Sequence, residues 1–316
     1  MAHRPRPTPL LALLVAASLF GAACSDADDG AATVETTGPA DTTGTGEPTT
    51  SIGGEEDAPA ATVGEGACPT DELPVVEEGT LTVATGETVF EPWMVDDDPA
   101  NGEGFESALV YALAGELGLA PEDVTWVRTG FDEAIAPGDK AYDFNVQQYS
   151  ITADRDEVVD FSTGYYQVEQ ALVAAPDSPV ADATSVADLQ GARLGAAIGT
   201  TSLDYIDQVI QPDAAAQVYD DNAAAKAAFD AGQVDGLVFD LPTAYFITAV
   251  EIPDASIVGV LPRGGEVEEL GLLFADASPL VPCVDEALEA LVVDGTLESL
   301  EEQWLQQGGE IPTLSS

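Results

Sequence analysis

From Cys68 onward, short apolar runs alternate with amphipathic stretches, a pattern of strands and helices in turn. Leu81–Thr85 reads as a buried strand and Phe105–Leu117 as a helix with Phe105, Ala108, Leu109, Ala112, Leu113 and Leu117 on one face. Val124–Val127 reads as a second strand, Phe131–Ile135 as a short helix ended by Pro137-Gly138, and Tyr142–Val146 as a third strand. The run Gln147–Thr152 also reads as a strand, ending in Ser150 and Thr152. A second series begins with the strand Ala171–Ala174. It continues with the strand Arg193–Ile198 and a helix from Gly199-Thr200-Thr201 to about Ile210. The strand Ala216–Tyr219 and the helix Asn222–Ala231 follow, then the strand Val234–Phe239 and the helix Leu241–Val250. Leu280–Gln307 reads as two helices separated by Asp294-Gly295.

Alternating strands and helices predict doubly wound α/β sheets, whose ligands sit at the carboxyl ends of the strands. About 250 residues suit two lobes. The expected division is lobe 1 from residues 67–168 and 265–316, and lobe 2 from 169–264, joined by two crossing strands that act as a hinge. Phe90, Ser150, Thr201 and Asp240 all fall just after strands or in the loops that follow.

The first residues change the picture. His3, Arg4 and Arg6 precede the apolar stretch Leu10–Phe20, too short to span a bilayer, and the small residues Gly21-Ala22-Ala23 precede Cys24. Residues 1–23 therefore read as a signal peptide, and the pattern resembles a bacterial lipoprotein signal in which Cys24 becomes the lipidated first residue. An ordinary cleaved signal is the alternative. Residues 25–66 hold no aromatic residue, Leu, Lys or Arg. They read as a disordered acidic tether that lifts the folded part off a membrane surface. With Cys24 carrying lipid, Cys68 and Cys283 are left as a pair in an oxidising setting, and a disulfide between them is expected. Two unpaired buried thiols are the alternative.

Composition excludes several kinds of chemistry. His3 is the only histidine and leaves with the signal, which removes Ser-His-Asp and Cys-His catalysis and His-ligated metal sites. No cofactor is called for. The formal charge is −50, and removing Arg4 and Arg6 leaves 6 basic against 58 acidic residues, or −52. Nucleic acid is not a partner for such a chain. Against this background Arg155 stands out, after Ser150-Ile151-Thr152 and before Asp160-Phe161-Ser162. Its planar fork suits a small carboxylate. A surface ion pair with Asp154, Asp156 or Glu157 is the competing reading.

Six motifs come in one order: Gly79–Thr85, Gly104-Phe105-Glu106, Ser150-Ile151-Thr152 with Arg155, Asp160-Phe161-Ser162 with Tyr165-Tyr166, Leu189 and Gly191 followed by Gly199-Thr200-Thr201, and Asp235 followed by Asp240. In this the chain resembles the extracellular solute-binding proteins of family 3, capture subunits of polar amino-acid ABC importers with the type II periplasmic-binding fold. The resemblance implies that Arg155 grips a ligand α-carboxylate, assisted by Ser150, Thr200 and Thr201. It implies that Asp240 takes the α-ammonium and that Phe90 and Phe131 sandwich the side chain. Asp240 could equally be a helix N-cap before Leu241-Pro242, and the two Phe residues plain core. Gln148 stands where relatives often carry Ser or Gly, close enough to the expected pocket to alter specificity.

With Arg155 as the one cation placed in the cleft, a ligand with a second carboxylate is disfavoured. Glu87, Glu91, Gln147 and Gln148 could accept from a basic or amide side chain, and Phe90, Phe131, Trp93 and Tyr149 could add cation–π attraction. The expected ligand is a polar amino acid such as arginine, lysine or glutamine, or a zwitterion such as ectoine. The resemblance further implies a monomer, lipid-anchored on the outer face of the cell membrane, that closes on its ligand and delivers it to an ABC permease. An enzyme on the same scaffold, resembling a carboxylic-acid dehydratase, and a ligand-sensing lipoprotein remain alternatives.

Overall fold

The computed structural model describes residues 68–305, except 264 and 266, together with 311–316. The signal peptide, Cys24 and the tether lie outside the described residues, as do Gln306 and Gln307 of the expected last helix.

Two five-stranded mixed sheets carry the fold. The first uses β1 (Leu81–Thr85), β2 (Val124–Arg128), β3 (Phe144–Asn145) and β4 (Val159–Phe161), and a strand that returns late in the chain, β12 (Leu273–Ala275). Its order is β2-β1-β3-β12-β4. β1 runs parallel to β2 and β3, whereas β12 is antiparallel to β3 and β4. All five residues of β1 are buried, as expected of a central strand covered on both faces. Helix α1 (Phe105–Glu116) packs on α7 (Val281–Val293) and α8 (Thr296–Trp304), sealing one face with Phe105, Leu109, Leu113, Val284 and Leu288. The short helices α2 (Phe131–Ile135) and α3 (Ala153–Asp156) sit in the connections.

The second sheet takes β6 (Gln170–Ala174), β7 (Leu194–Ala197), β8 (Gln217–Tyr219), β9 (Gly236–Asp240) and β10 (Ser256–Val260) in the order β10-β6-β9-β7-β8. Around it lie α4 (Thr201–Tyr205), α5 (Asn222–Asp230) and α6 (Leu241–Phe246). α4 and α6 widen into π-helical turns through Ile206–Ile210 and Ile247–Glu251, which gives the two helical stretches their expected lengths. Between the sheets, β5 (Tyr166–Val168) and β11 (Glu268–Leu270) cross as an antiparallel pair.

Two expectations need correction. Gln147–Thr152 is not a strand: Gln148 has φ +51°, and only Ser150 forms a β-bridge, to Leu270. The strand before it shrinks to Phe144–Asn145 because the chain turns to present loop atoms at the cleft. The assignment of all of 265–316 to the first lobe fails at its end. Val260 N–H donates to Pro312 O and Leu314 N–H to Val260 O, and Leu314 is buried in the second sheet's core. Leu305 thus belongs to the first core, whereas Pro312–Leu314 belong with the second sheet.

The Cys68–Cys283 disulfide is present, with a sequence separation of 215 residues. It fastens the segment leading into β1 to α7 beside the first core. Replacing both cysteines by serine is expected to lower unfolding free energy by about 2–5 kcal/mol, the range for long disulfide loops. Urea denaturation of the two proteins under non-reducing conditions measures it, and coincident midpoints would contradict it.

Candidate functional site

A cavity of about 270 Å³ opens between the strand ends of the two sheets. From the first half it is lined by Phe90, Phe131, Gln148, Ser150 and Arg155, and from the second by Thr200, Thr201 and Asp240. All eight residues singled out from sequence thus lie around one space.

Arg155 occupies α3, whose N-cap Thr152 accepts from Arg155 N–H. At 8% exposure it is buried. Among the described residues its side chain forms no ion pair within 4.0 Å, so the surface-pair reading does not hold. Instead Nη1 donates to Ser150 O at 2.6 Å and Nη2 to Gly199 O at 2.8 Å, one carbonyl from each half. The guanidinium lies 5.5 Å from the centroid of Phe131, which itself stacks on Tyr149 at 4.5 Å. Four of the other basic residues are paired, Arg128 with Asp97, Arg193 with Asp235, Lys226 with Asp230 and Glu251, and Arg263 with Glu169. Half-buried Lys140 donates to Ala136 O. Among the described residues Arg155 is the single cation lining the cavity.

Asp240 ends β9 at the start of α6, with Pro242 in the first turn. Its side chain makes no capping hydrogen bond; Oδ1 accepts from Gln170 Nε2 at 2.7 Å. Gln170 is held in turn by Ser202 Oγ, which donates to its Oε1 at 2.6 Å. Burial pushes the Asp240 carboxyl up to about 7, the nearby Glu268 charge adds to this, and the Gln170 bond opposes it.

Thr200 caps α4, its hydroxyl accepting from Leu203 N–H and donating to Ala197 O. Phe90 and Phe246 face each other with centroids 6.4 Å apart, and Trp93 Nε1 donates across the cleft to Thr243 Oγ1 at 2.8 Å. Gln148 lines the cavity, but its carboxamide donates to Glu106 Oε2. Tyr149 is buried behind Phe131, its hydroxyl on Phe131 O and Gln147 Oε1. Neither Tyr149 nor Glu91 lines the cavity, whereas Glu87, Gln147 and Trp93 do.

Sequence reading gave Glu106 no role beyond its place in the Gly104-Phe105-Glu106 motif, and did not single out Gln170 or Glu268. Glu106 is 0% exposed; it accepts from Gln148 N–H at 2.9 Å and from the Tyr165 hydroxyl. These bonds hold Gln148 in its left-handed conformation, which costs a residue with a Cβ on the order of 1 kcal/mol.

Residues 81–307 match the family Bacterial extracellular solute-binding proteins, family 3. The L-cystine-binding protein TcyJ of Escherichia coli (strain K12) is 27% identical over 233 residues, covering 73% of this chain and 84% of that protein. The structure of an ancestral arginine-binding protein bound to arginine matches with TM-score 0.60 and 29% identity over 72% of this chain and 98% of that one. The ancestral amino acid-binding protein AncCDT-1, a precursor of cyclohexadienyl dehydratase, matches with TM-score 0.61 and 28% identity over 72% of this chain and 96% of that one. The chain belongs to family 3 of the bacterial extracellular solute-binding proteins, a family of two-lobe α/β proteins, and its role is substrate binding.

Burial pushes the Glu106 carboxyl from 4.5 up to about 7, against the lowering effect of its bonds from Tyr165 and Gln148. The folded state thus holds this proton more tightly than the unfolded state. The stabilising term is full below pH 4.5 and is lost as pH rises from there to about 7. Glu106→Gln should remove that term, on the order of 2–3 kcal/mol. Urea denaturation at pH 5 and pH 8 checks this: the variant's stability should change less between them than the wild type's.

Proposed function

We propose that the cleft captures a polar α-amino acid. Arg155 takes its carboxylate, Asp240 takes its ammonium, and its side chain lies between Phe90 and Phe131. Ser150, Thr200 and Thr201 complete the walls. The observation that carries this reading is the pairing of the one cavity-lining cation with Asp240, contributed by opposite halves of the protein. An amino acid needs a cation, an anion and apolar walls, and each pole it brings neutralises one otherwise unpaired in the cavity. The likeness to ancestral arginine-binding proteins bound to arginine and to glutamine supports a basic or amide side chain, for which Glu87 and Gln147 offer acceptors. The same reading makes the protein a monomeric, lipid-anchored capture subunit held by Cys24 on the outer face of the cell membrane. Closure about β5 and β11 fixes the ligand, and the closed form docks on an ABC permease.

Dehydratase chemistry on a small carboxylic acid is the second reading, favoured by Asp240, whose carboxyl, pushed by burial up to about 7, suits general acid work. Turnover of a cyclic carboxylate by the purified protein would decide for it.

Calorimetric titration with the twenty amino acids, cystine and ectoine tests the capture reading. One chemical class should bind at micromolar affinity or tighter, and Arg155→Ala should weaken it at least 100-fold. Binding untouched by Arg155→Ala would refute the assignment. Because Asp240 must lose its proton to meet an ammonium, affinity should fall about tenfold from pH 8 to pH 6, with proton release on binding at the lower pH. Asp240→Asn should abolish that slope.

A further inference from the structure

Glu268 lies on β11, one of the two crossing strands. Its Oε1 accepts from Ser150 Oγ at 2.6 Å and from Thr201 Oγ1 at 2.6 Å. One carboxylate oxygen thus ties a hydroxyl of the first half to a hydroxyl of the second, and the two hydroxyls stand 3.3 Å apart. Gln170 Nε2, the donor to Asp240, lies 3.3 Å from each Glu268 oxygen.

A carboxylate has no proton to give, so Ser150 and Thr201 are the donors in both short bonds. A hydroxyl has one proton. With that proton directed at Glu268, neither hydroxyl can donate to an anion in the cavity, and each offers only lone pairs there. Thr201 Oγ1 already lies 3.4 Å from the Gln170 amide as an acceptor.

We infer that Glu268 is a specificity-determining residue that sets the polarity of the cleft: it turns Ser150 and Thr201 into acceptors and, with Asp240, makes their end of the cavity a receptor for the ligand's ammonium. The inference rests on the amino-acid reading and refines it. It moves Ser150 and Thr201 from the carboxylate side to the ammonium side and leaves the carboxylate to Arg155. The consequence is chemical discrimination. A 2-hydroxy acid keeps the carboxylate and side chain of its amino-acid counterpart but brings no positive charge to Asp240 and Glu268. It forfeits the attraction that the ammonium gains from both, and Asp240 keeps its proton beside Glu268.

The test is titration of the wild type, Glu268→Gln and Ser150→Ala with L-arginine and L-glutamine, each beside its 2-hydroxy analogue. The readout is the ratio of the two affinities within a pair, which cancels any general loosening of the hinge. The wild type should prefer the amino acid at least 100-fold. Glu268→Gln should cut that preference at least tenfold, and Ser150→Ala should weaken the amino acid more than the hydroxy acid. An unchanged ratio in both variants, or equal tightening of both ligands in Glu268→Gln, would overturn the inference. Equal tightening would mean that Glu268 competes with the ligand's carboxylate instead. Should Glu268→Gln fail to fold, the Ser150→Ala ratio decides alone. A wild type that binds neither amino acid overturns the arginine-and-glutamine reading itself and this inference with it. A wild type that binds with a ratio insensitive to both substitutions overturns this inference only.

Discussion

A guanidinium withdrawn from water must find acceptors, and Arg155 finds two backbone carbonyls, Ser150 O and Gly199 O, that belong to different sheets' loops. Neither half alone can satisfy it. The rest of the cleft depends on this bridge. The carbonyl of Ser150 is available because the chain leaves β3 early, and that of Gly199 because β7 ends before the cap of α4. Both carbonyls approach from strand ends, where open α/β sheets leave backbone groups unpaired. Satisfying Arg155 with carbonyls rather than carboxylates keeps its full positive charge. In a chain with 58 acidic residues, that is what keeps it from being neutralised by its own protein.

Glu106 plays the complementary part deeper in the first half. It collects the backbone and side-chain N–H groups of Gln148 and the hydroxyl of Tyr165, and so fixes the loop that carries Ser150. A fully buried carboxyl is costly unless its oxygens are met by donors, and here three donors converge on it. The crossing strands finish the arrangement: β11 brings Glu268 under both lobes' hydroxyls while its backbone pairs with β5 and, at Leu270, with Ser150. A carboxylate of the crossing strands therefore holds two of the hydroxyls that line the cavity.

Much of this was legible in the sequence. Strands buried on both faces appear as unbroken apolar runs, so β1, β6 and β7 are found where Leu81–Thr85, Ala171–Ala174 and Arg193–Ile198 predict them. Arg155 was legible because basic residues are rare, and the Cys68–Cys283 pair because cysteines are rarer still. The acids were not. Nothing in the composition marks Glu106 or Glu268 among so many carboxylates, since burial is a property of the fold and not of the residue. Gln148 misled for a related reason. Glutamine has no special taste for positive φ, so the run Gln147–Thr152 read as extended. The return of Pro312 to Leu314 onto the second sheet was hidden by the shortness of the segment, too brief to show a period.

The charge of the whole chain and the charge of the cleft act on different scales. A net charge of −50 produces a field that repels anions at a distance, yet ionic screening limits its reach to about 8–10 Å. Inside the cleft the balance is local: among the described residues Arg155 is the one cation of the lining, set against Asp240, Glu87, Asp220 and Asp221. A small molecule arriving with both signs of charge feels little net force outside. It gains from both poles only once it is oriented between them. A dianion is disfavoured at both stages, since the exterior repels it and the cavity lining offers it one cation. On the proposed reading the acidic exterior and the buried Arg155 are two parts of one filter, since among the described residues the other five cations lie outside the cavity lining.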